Sequence, residues 1–343
     1  MRSFIRNLFA RAIGFDYRQI QATHEAHLQQ INDLIVVQRQ RWDEMMILQG
    51  RDLALKNRDR SPLPRIQDAE FRVFSQFGED GILQYLIRET GITPEETSFV
   101  EFGVENYLES NTRFLLMNDN WRGMILDGSK QHMDFVRAQT IYWRHDLTAV
   151  EAWIDRENIN QLIADAGFSG NIGILSIDTD GNDYWIWERI EVVSPVIVVV
   201  EWNSVFGPNE AISVPYDPLF EREKAHYSHL FGGASIAAFE FLAARKGYQL
   251  VGSNSAGNNL FFVRKDRLGR LTPLSAKEAY VESRFRESRD VSGQLNFLQG
   301  NKRILELLDL SVVEVTTGDT ITIRDLLQHA DMPSGSDVFP SCL

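Results

Sequence analysis

From residue 71 onward, short apolar runs of strand length alternate with longer amphipathic stretches of helix length. The runs are rich in Val, Ile and Phe, which is typical of strands in a parallel sheet covered on both faces. Strands are predicted at 98–103, 123–127, 141–145, 172–178, 196–201, 248–252 and 259–264. Helices are predicted at 79–90, 111–118, 130–138, 148–166, 183–190 and 234–246.

The last two strands are joined by only a few residues around Gly257, so they should form an antiparallel hairpin at one edge of the sheet. The pattern therefore predicts an α/β fold of Rossmann type, with a mostly parallel, seven-stranded sheet and an antiparallel edge hairpin.

A different period governs the N-terminal region. Residues 17–56 contain no proline and one glycine, Gly50. Apolar residues recur there in steps of three and four, which predicts a coiled coil or a helical hairpin. Self-association through this seam is the expected route to a homo-oligomer, and a long helix folded back onto the body is the alternative. The seam is Leu28, Ile31, Ile35, Gln38, Trp42 and Met45, with one polar position.

Residues 2–15 form a short basic amphipathic pattern, in which Phe4, Ile5, Leu8, Phe9 and Ile13 can share one helix face. Two interpretations stay open. The helix packs on protein, its own or a partner's, or it docks on an anionic membrane surface.

The polar, proline-containing stretch at 57–65 indicates a linker. The predicted organisation is a helical arm at 1–60, a linker at 61–70, a cofactor-binding domain at 71–270 and a C-terminal extension at 271–343.

The charge is unevenly distributed. Residues 1–60 carry a net charge of +3 and the remainder carries −16. An acidic body repels phosphate backbones, which argues against a nucleic-acid partner. The single cysteine, Cys342, rules out a disulfide framework within one chain and fits a reducing cytoplasmic location. If residues 2–15 dock on lipid, the chain is peripheral at the inner membrane face.

Ligands of such sheets bind at the carboxyl ends of the strands. The first strand ends at Glu101, followed by Gly103 and a loop carrying Glu105 and Glu109. A dinucleotide site needs several glycines to approach a pyrophosphate, and this loop has one glycine and two carboxylates. S-adenosylmethionine, which is cationic and has no phosphate, suits it better.

Acids at the next two strand ends extend this interpretation. Asp127 lies 24 residues beyond Gly103, about where an acid binds the ribose of an adenosine cofactor. Asp146 follows the predicted third strand, where a side chain can meet the adenine. Each aspartate alone is also a common helix cap, but their order favours an adenosine site.

Three aspartates follow the fourth strand, at 178, 180 and 183. Unpaired, they repel one another and raise one another's pKa, and a hard cation such as Mg²⁺ or Mn²⁺ relieves that repulsion. Glu201 and Asn203 add oxygen ligands at the fifth strand end. The alternative is that Asp178 serves the cofactor while Asp180 and Asp183 cap the next helix.

A long insertion at 204–233 contains aromatic residues and two histidines, His226 and His229. Loops of this length are usually functional, and its composition suits a polar acceptor such as a sugar. His226 is the first candidate for a general base, with His229 as the other, and either can instead be a surface histidine.

Several short motifs, taken together and in order, resemble those of FkbM-like S-adenosylmethionine-dependent methyltransferases over residues 71–265. They are Ser75-Gln-Phe-Gly-Glu-Asp80, Phe99-Val-Glu-Phe-Gly103, Ser110-Asn-Thr112, Ile177-Asp-Thr-Asp-Gly181, Glu201-Trp-Asn203, Phe231-Gly-Gly-Ala-Ser235 and Asn258-Asn-Leu-Phe-Phe262. The resemblance implies a Rossmann-like methyltransferase fold and O-methylation of a small-molecule or glycan hydroxyl. By this resemblance Glu101 and Gly103 fall on the cofactor loop, Asp127 falls on the ribose position, and Asp178 follows the fourth strand. The predicted cofactor site consists of these four residues with Asn111 and Asp146.

The expected function is O-methylation of a sugar or surface polysaccharide, with Asp178 and His226 as catalytic candidates and a divalent metal as a possible aid. Two other functions stay open. Asp178-Thr-Asp180 is also the D-x-D pattern with which glycosyltransferases hold a metal against a nucleotide diphosphate. A coiled-coil scaffold with a degenerate methyltransferase domain is the non-enzymatic alternative.

Overall fold

The computed structural model of the chain describes Ile5 and residues 17–284 and 287–330. The chain divides into two compact units, residues 1–51 and 52–343. The amphipathic pattern predicted at 2–15 lies outside the described residues, except for Ile5. Among the described residues, no helix combines the length and the apolar character that a membrane crossing requires.

The N-terminal seam lies on one continuous helix, α1 (Tyr17–Asp59), rather than on a helical hairpin. Its polar face is stabilised by side-chain hydrogen bonds between residues four apart, from Gln21 to Glu25, Gln29 to Asp33 and Gln40 to Glu44. The helix ends shortly before Pro62, because the residue before a proline disfavours helical backbone.

The second unit is built on a seven-stranded sheet with the order β3-β2-β1-β4-β5-β8-β7. The first five strands run parallel, and β8 pairs antiparallel with both β5 and β7. The predicted sheet and its antiparallel edge hairpin are confirmed. The strands are β1 (Ser98–Phe102), β2 (Arg122–Asp127), β3 (Leu147–Glu151), β4 (Gly170–Ile177), β5 (Val193–Glu201), β7 (Tyr248–Ser253) and β8 (Asn259–Arg264).

Helices cover both faces of this sheet. Alternate residues of β5 point into different layers, Val198 and Val200 into one and Val199 into the other, so both faces are apolar. The helices are α2 (Glu79–Thr90), α3 (Arg113–Asp119), α4 (Lys130–Ala138), α5 (Thr140–Arg144), α6 (Ile159–Asp165), α7 (Asp183–Arg189), α8 (Arg222–Ala225), α9 (Ile236–Lys246), α10 (Ala276–Ala279), α11 (Lys302–Leu305) and α12 (Ile323–Ala330).

A second, three-stranded sheet joins two distant parts of the chain. Strand β6 (Ile212–Ser213) comes from the long insertion and pairs antiparallel with β9 (Ser311–Glu314), which pairs with β10 (Thr320–Thr322). Insertion and C-terminal extension therefore share a small core of their own, formed by Phe206, Ile212, Val214, Leu230, Phe231, Leu307, Val312, Ile323 and Leu326.

The prediction around the third strand is wrong. Residues 140–144 form the short helix α5, and the strand lies at 147–151, which overlaps the start of the stretch predicted as a helix at 148–166. Ile-Tyr-Trp at 141–143 favours a strand by composition, but Trp143 is 72% exposed. Pairing decides instead, because Leu147 and Ala149 are buried beside Gly123 and Ile125 of β2.

Candidate active site

The sheet order reverses between β1 and β4, and such a switch point is where open α/β sheets bind ligands. Gly103 follows β1 there and has a left-handed backbone, with φ of +68°. A Cβ on Gly103 would lie 1.8 Å from the backbone oxygen of Asp178, which follows β4. The two loops thus meet in van der Waals contact, and only glycine fits this position.

Two adjoining cavities open at this edge. The switch-point cavity, of about 470 Å³, lies over the ends of β1, β4 and β5 and is closed by parts of the insertion and the C-terminal extension. The side cavity, of about 650 Å³, lies over the ends of β2 and β3. Both volumes suit a small organic ligand. The residues that line both are Gly103, Asp127, Asp178, Asp180, Arg222 and Glu287.

Three carboxylates converge in the switch-point cavity. Oxygens of Asp178, Asp180 and Glu201 lie within 4.8 Å of one another. Burial, reinforced by the neighbouring charges, raises the pKa of Asp178 well above its usual range and that of Glu201 to about 8. Asp180 is more exposed and lies 3.6 Å from the guanidinium of Arg222. The three oxygens form the kind of donor set that a hard divalent cation takes.

The other two residues of the predicted metal set are engaged in loop contacts. Asp183 is fully buried, and its two oxygens accept hydrogen bonds from the backbone N–H groups of Thr179 and Gly181, at 2.7 and 3.0 Å. The amide of Asn203 donates to the carbonyls of Leu230 and Gly232, so it ties the insertion to the end of β5.

Glu101 is close to the site but does not line it. Its carboxylate is buried and accepts hydrogen bonds from the hydroxyl of Ser110 at 2.6 Å, from the N–H of Asn111 at 2.9 Å, and from the N–H and hydroxyl of Thr112. Burial raises the pKa of Glu101, and these donors oppose the rise. Glu101 therefore holds the loop after β1 in shape, and Asn111 lines the switch-point cavity.

Asp127 stands at the end of β2 and lines both cavities. Its two oxygens accept from the N–H groups of Glu105 at 2.8 Å and Ser129 at 2.7 Å. Its carboxylate thus connects the β1 and β2 loops, and each oxygen has a second lone pair that can accept a further hydrogen bond. His132, which also lines the side cavity, lies 3.5 Å from one of these oxygens.

Asp146 lies at the opposite edge of the sheet. It precedes β3 instead of following it, because the strand begins at Leu147. Its carboxylate is 71% exposed and 3.7 Å from Arg122, at the amino end of β2. The expected contact with adenine is therefore wrong.

The residues that do follow β3 line the side cavity. They are Ala152, Trp153 and Ile154, and the Trp153 indole donates a hydrogen bond of 2.7 Å to the carbonyl of Pro218 in the insertion. Sequence reasoning missed them because it placed the third strand too early. With the strand ending at Glu151, the sequence Ala152-Trp-Ile154 directly follows a strand end, which is the position that predicts a ligand contact.

The two insertion histidines differ in position. His226 bonds to the Ser228 hydroxyl at 2.7 Å and stacks on Tyr227, and it lines neither of the two cavities. His229 lines the side cavity, with its Nδ1 3.6 Å from Glu287. Glu287 comes from the C-terminal extension, where no sequence pattern distinguished it.

The two acids of the motif Ser75–Asp80 make structural contacts, and Gln76 of the same motif lines the switch-point cavity. One oxygen of Asp80 accepts from the N–H groups of Val73, Phe74 and Ser75 at 2.7–2.8 Å, while burial raises the pKa of Asp80 to about 6. Glu79 is also buried and accepts from the amides of Asn254 and Asn259, at 2.6 and 3.0 Å. Asp80 therefore holds the loop at 73–75 against the start of α2, and Glu79 connects the start of α2 to the β7–β8 turn.

No family model matches the chain. No curated protein matches it by sequence either. Its sheet is similar to those of solved methyltransferases. The O-methyltransferase from Bacillus cereus in complex with SAH aligns at 14% identity and a TM-score of 0.34, over 53% of this chain and 90% of that one.

The N-terminal domain of EvdMO1 with SAH bound aligns at 12% identity and a TM-score of 0.38, over 67% and 97% of the two chains. The mitomycin 7-O-methyltransferase MmcR aligns at 15% identity and a TM-score of 0.31, over 54% of this chain and 56% of that one. These similarities assign no substrate to this chain. The fold described above is assigned from the strand order of this chain alone.

Proposed function

We propose that this chain is an S-adenosylmethionine-dependent O-methyltransferase whose cofactor lies across the switch point. The observation that carries the proposal is the contact of Gly103 with the Asp178 backbone, beside a cavity that Asp127 also lines. This arrangement offers bare backbone and a carboxylate to an adenosine-containing ligand, and it lacks the glycine-rich turn that binds a pyrophosphate.

The charge of the cavity supports a cationic cofactor. Among the described residues of its lining, two guanidiniums, from Arg222 and Arg303, face a larger number of carboxylates. S-adenosylmethionine brings a sulfonium and an ammonium group to such a site, whereas a nucleotide diphosphate is repelled unless a metal accompanies it. The carboxylates are Glu105, Glu109, Asp127, Asp178, Asp180, Glu201 and Glu287.

The lining suggests how this chain holds the cofactor. Asp127 accepts from the ribose hydroxyls with its remaining lone pairs. Trp153 and Ile154 offer apolar surface to the adenine, and the loop from Gly103 to Asn111 faces the amino-acid portion. When bound, S-adenosylmethionine supplies an electrophilic methyl group, and the chain must align the acceptor oxygen and accept its proton.

Asp178, Asp180 and Glu201 are the residues that would hold Mg²⁺ or Mn²⁺. The donor set fits, because three carboxylate oxygens within 4.8 Å repel one another without a cation. Such an ion supplies charge that lowers the pKa of an acceptor hydroxyl. Neither Asp183 nor Asn203 belongs to this proposed set, since both are engaged in loop contacts.

His229, and not His226, is the histidine that we assign to the acceptor side. It lines the side cavity, and Glu287, 3.6 Å from its Nδ1, lines both cavities, which connects this histidine to the carboxylates of the switch-point cavity. Following the FkbM-like motifs, we propose a sugar or polysaccharide hydroxyl as the acceptor. The single cysteine supports a cytoplasmic location. The expected result for His229→Gln is a loss of turnover of about a hundredfold with cofactor binding retained, and His226→Gln serves as the control.

Titration calorimetry on the full chain tests the cofactor. S-adenosylhomocysteine should bind, and Asp127→Ala should weaken binding at least about tenfold, equal to about 1.4 kcal/mol. Asp165→Asn, at an exposed position on α6, should leave it unchanged. Binding of UDP with Mn²⁺ but not of S-adenosylhomocysteine would favour the glycosyltransferase instead. Binding of neither, with no methyl transfer to a glycan panel, would favour a scaffold.

A further inference from the structure

The N-terminal unit carries a row of large apolar side chains in contact with water. Leu28, Ile31, Ile35, Trp42 and Met45 are each 48–61% exposed on α1. Scattered exposed apolar residues need no explanation, but these follow one stripe of a single helix, and Ile31, Ile35 and Trp42 border a shallow apolar groove. A helix face of this kind is stable in water only when another surface covers it.

The spacing of the stripe specifies the shape of the covering surface. The steps are three, four, three, four and three residues, which is the a and d pattern of a two-stranded coiled coil. The helix is unbroken from Tyr17 to Asp59, about 65 Å at 1.5 Å per residue, so it is long enough to wind around a second helix. The occupant is therefore a helix with a seam of the same period.

The polar position of the seam identifies that helix. Gln38 is exposed and borders the same groove as Ile35 and Trp42. A glutamine amide both donates and accepts, so two Gln38 side chains facing each other satisfy one another. In an antiparallel pair Gln38 would instead face Ile35, and its amide would be buried without a partner at a cost.

Flanking charges do not oppose such a pair. In a parallel, in-register dimer, Arg39 lies beside Leu34 of the partner subunit and Arg41 lies beside Met46 of the partner subunit. Their aliphatic stems then cover the seam while the guanidiniums stay in water. We infer that α1 pairs two copies of this chain as a parallel, in-register coiled coil through Leu28–Met45.

Solution mass tests the pairing. Sedimentation equilibrium of the full chain should give twice the chain mass of 39.3 kDa. Trp42→Glu should raise the dimer dissociation constant at least about tenfold because it buries a charge in the seam. Ala26→Glu, which places the same charge at an exposed position on the outer face, should leave the constant unchanged, and circular dichroism should show unaltered helix content in both variants.

Cross-linking tests the orientation. In a Cys342→Ser background, Leu28→Cys should form a covalent dimer under mild oxidation, because equivalent seam positions approach each other only in a parallel, in-register pair. Ala26→Cys, on the outer face two residues away, should not. In an antiparallel pair two Leu28 positions lie about 25 Å apart along the axis.

Failure at either step overturns the inference. Absence of cross-linking at position 28, or equal cross-linking at 26 and 28, excludes the parallel register. A chain that stays at 39.3 kDa, including one that sediments with anionic phosphatidylserine vesicles, excludes the second copy as the occupant. The inference does not depend on the proposed methyl transfer.

Discussion

Two pairs of acids at the same edge of the sheet, one pair buried and the other half-buried, have opposite surroundings. Glu101 and Asp183 are surrounded by donors, and each holds a neighbouring loop by hydrogen bonds to its backbone. Asp178 and Glu201 lie among other carboxylates and line the cavity. Burial raises the pKa of all four. After burial, the largest influence on the pKa is a hydrogen bond that opposes the rise in the first pair and a like charge that adds to it in the second pair.

The difference separates structural acids from candidate functional ones. A carboxylate whose oxygens are filled by backbone N–H groups stabilises its loop and has little capacity left for a ligand. A carboxylate held near others is unstable alone and becomes useful when a cation or a proton joins it. Whether an acid is structural or available to a ligand therefore depends on the backbone N–H groups that surround it, and not on the number of acids in its motif.

The largest effect is expected where the two loops meet. Gly103→Ala places a Cβ 1.8 Å from the backbone oxygen of Asp178 and strains a left-handed residue as well. We expect loss of S-adenosylhomocysteine binding and a decrease in the free energy of unfolding of about 3 kcal/mol or more. Urea denaturation and calorimetry measure the two.

Gly91→Ala is the matched control for this substitution. Gly91 has a similar backbone, with φ of +60°, but nothing lies within 4 Å of the position of a Cβ. Gly91→Ala should decrease the free energy of unfolding by about 1 kcal/mol, through the left-handed backbone alone, and leave S-adenosylhomocysteine binding unchanged. Equal effects of the two variants would mean that the close approach at Gly103 is unimportant.

Two isosteric substitutions compare the two kinds of acid directly. Glu101→Gln removes the charge that the donors at Ser110, Asn111 and Thr112 stabilise, so the free energy of unfolding should decrease by about 2 kcal/mol. Glu201→Gln removes a repelled charge, so stability at pH 8 should be unchanged or higher while turnover decreases. If both variants lose equal stability, the distinction between the two pairs is wrong.

The pH dependence of stability should follow Glu201. Its pKa is about 8 in the folded chain against 4.5 as the ordinary value, so the folded state holds its proton more tightly than the unfolded state. The contribution of Glu201 is then complete below about pH 4.5 and is lost as pH increases through about 8. Without metal, the melting temperature should decrease from pH 5 to pH 8.5.

Metal addition and Glu201→Gln each check that explanation. Mg²⁺ or Mn²⁺ should restore the melting temperature at pH 8.5, because the cation compensates the ionised Asp178 and Glu201. Glu201→Gln should flatten the decrease with pH and weaken the metal effect. An unchanged dependence of the melting temperature on pH in this variant would contradict the role given to Glu201. Turnover that chelator does not change would contradict the metal assignment.

The sheet could be predicted from sequence because its strands are apolar on both faces and their ends carry turn or polar residues. The order of acids along the chain likewise brought Asp127, Asp178 and Glu201 to one edge. These are local patterns that follow the period of each element.

Other features depend on contacts between distant residues. The strand at 147–151 is determined by its pairing with β2. As a result Asp146 lies at the amino end of the strands, and Trp153 lies after the strand and lines the side cavity. The engagement of Glu101 and Asp183 depends on which backbone donors fold around them. Glu287 reaches the site from a segment more than a hundred residues beyond Asp178, which no spacing rule connects to it.

The smallest effect tests the correction at the third strand. Asp146→Ala removes an exposed carboxylate that makes one ion pair of 3.7 Å with Arg122. Exposed pairs of this kind contribute little, so the free energy of unfolding should change by less than about 0.5 kcal/mol. S-adenosylhomocysteine binding should equal that of the wild type, in contrast to Asp127→Ala. A loss of binding comparable to that of Asp127→Ala would mean that Asp146 belongs to the cofactor site, which contradicts its position before β3.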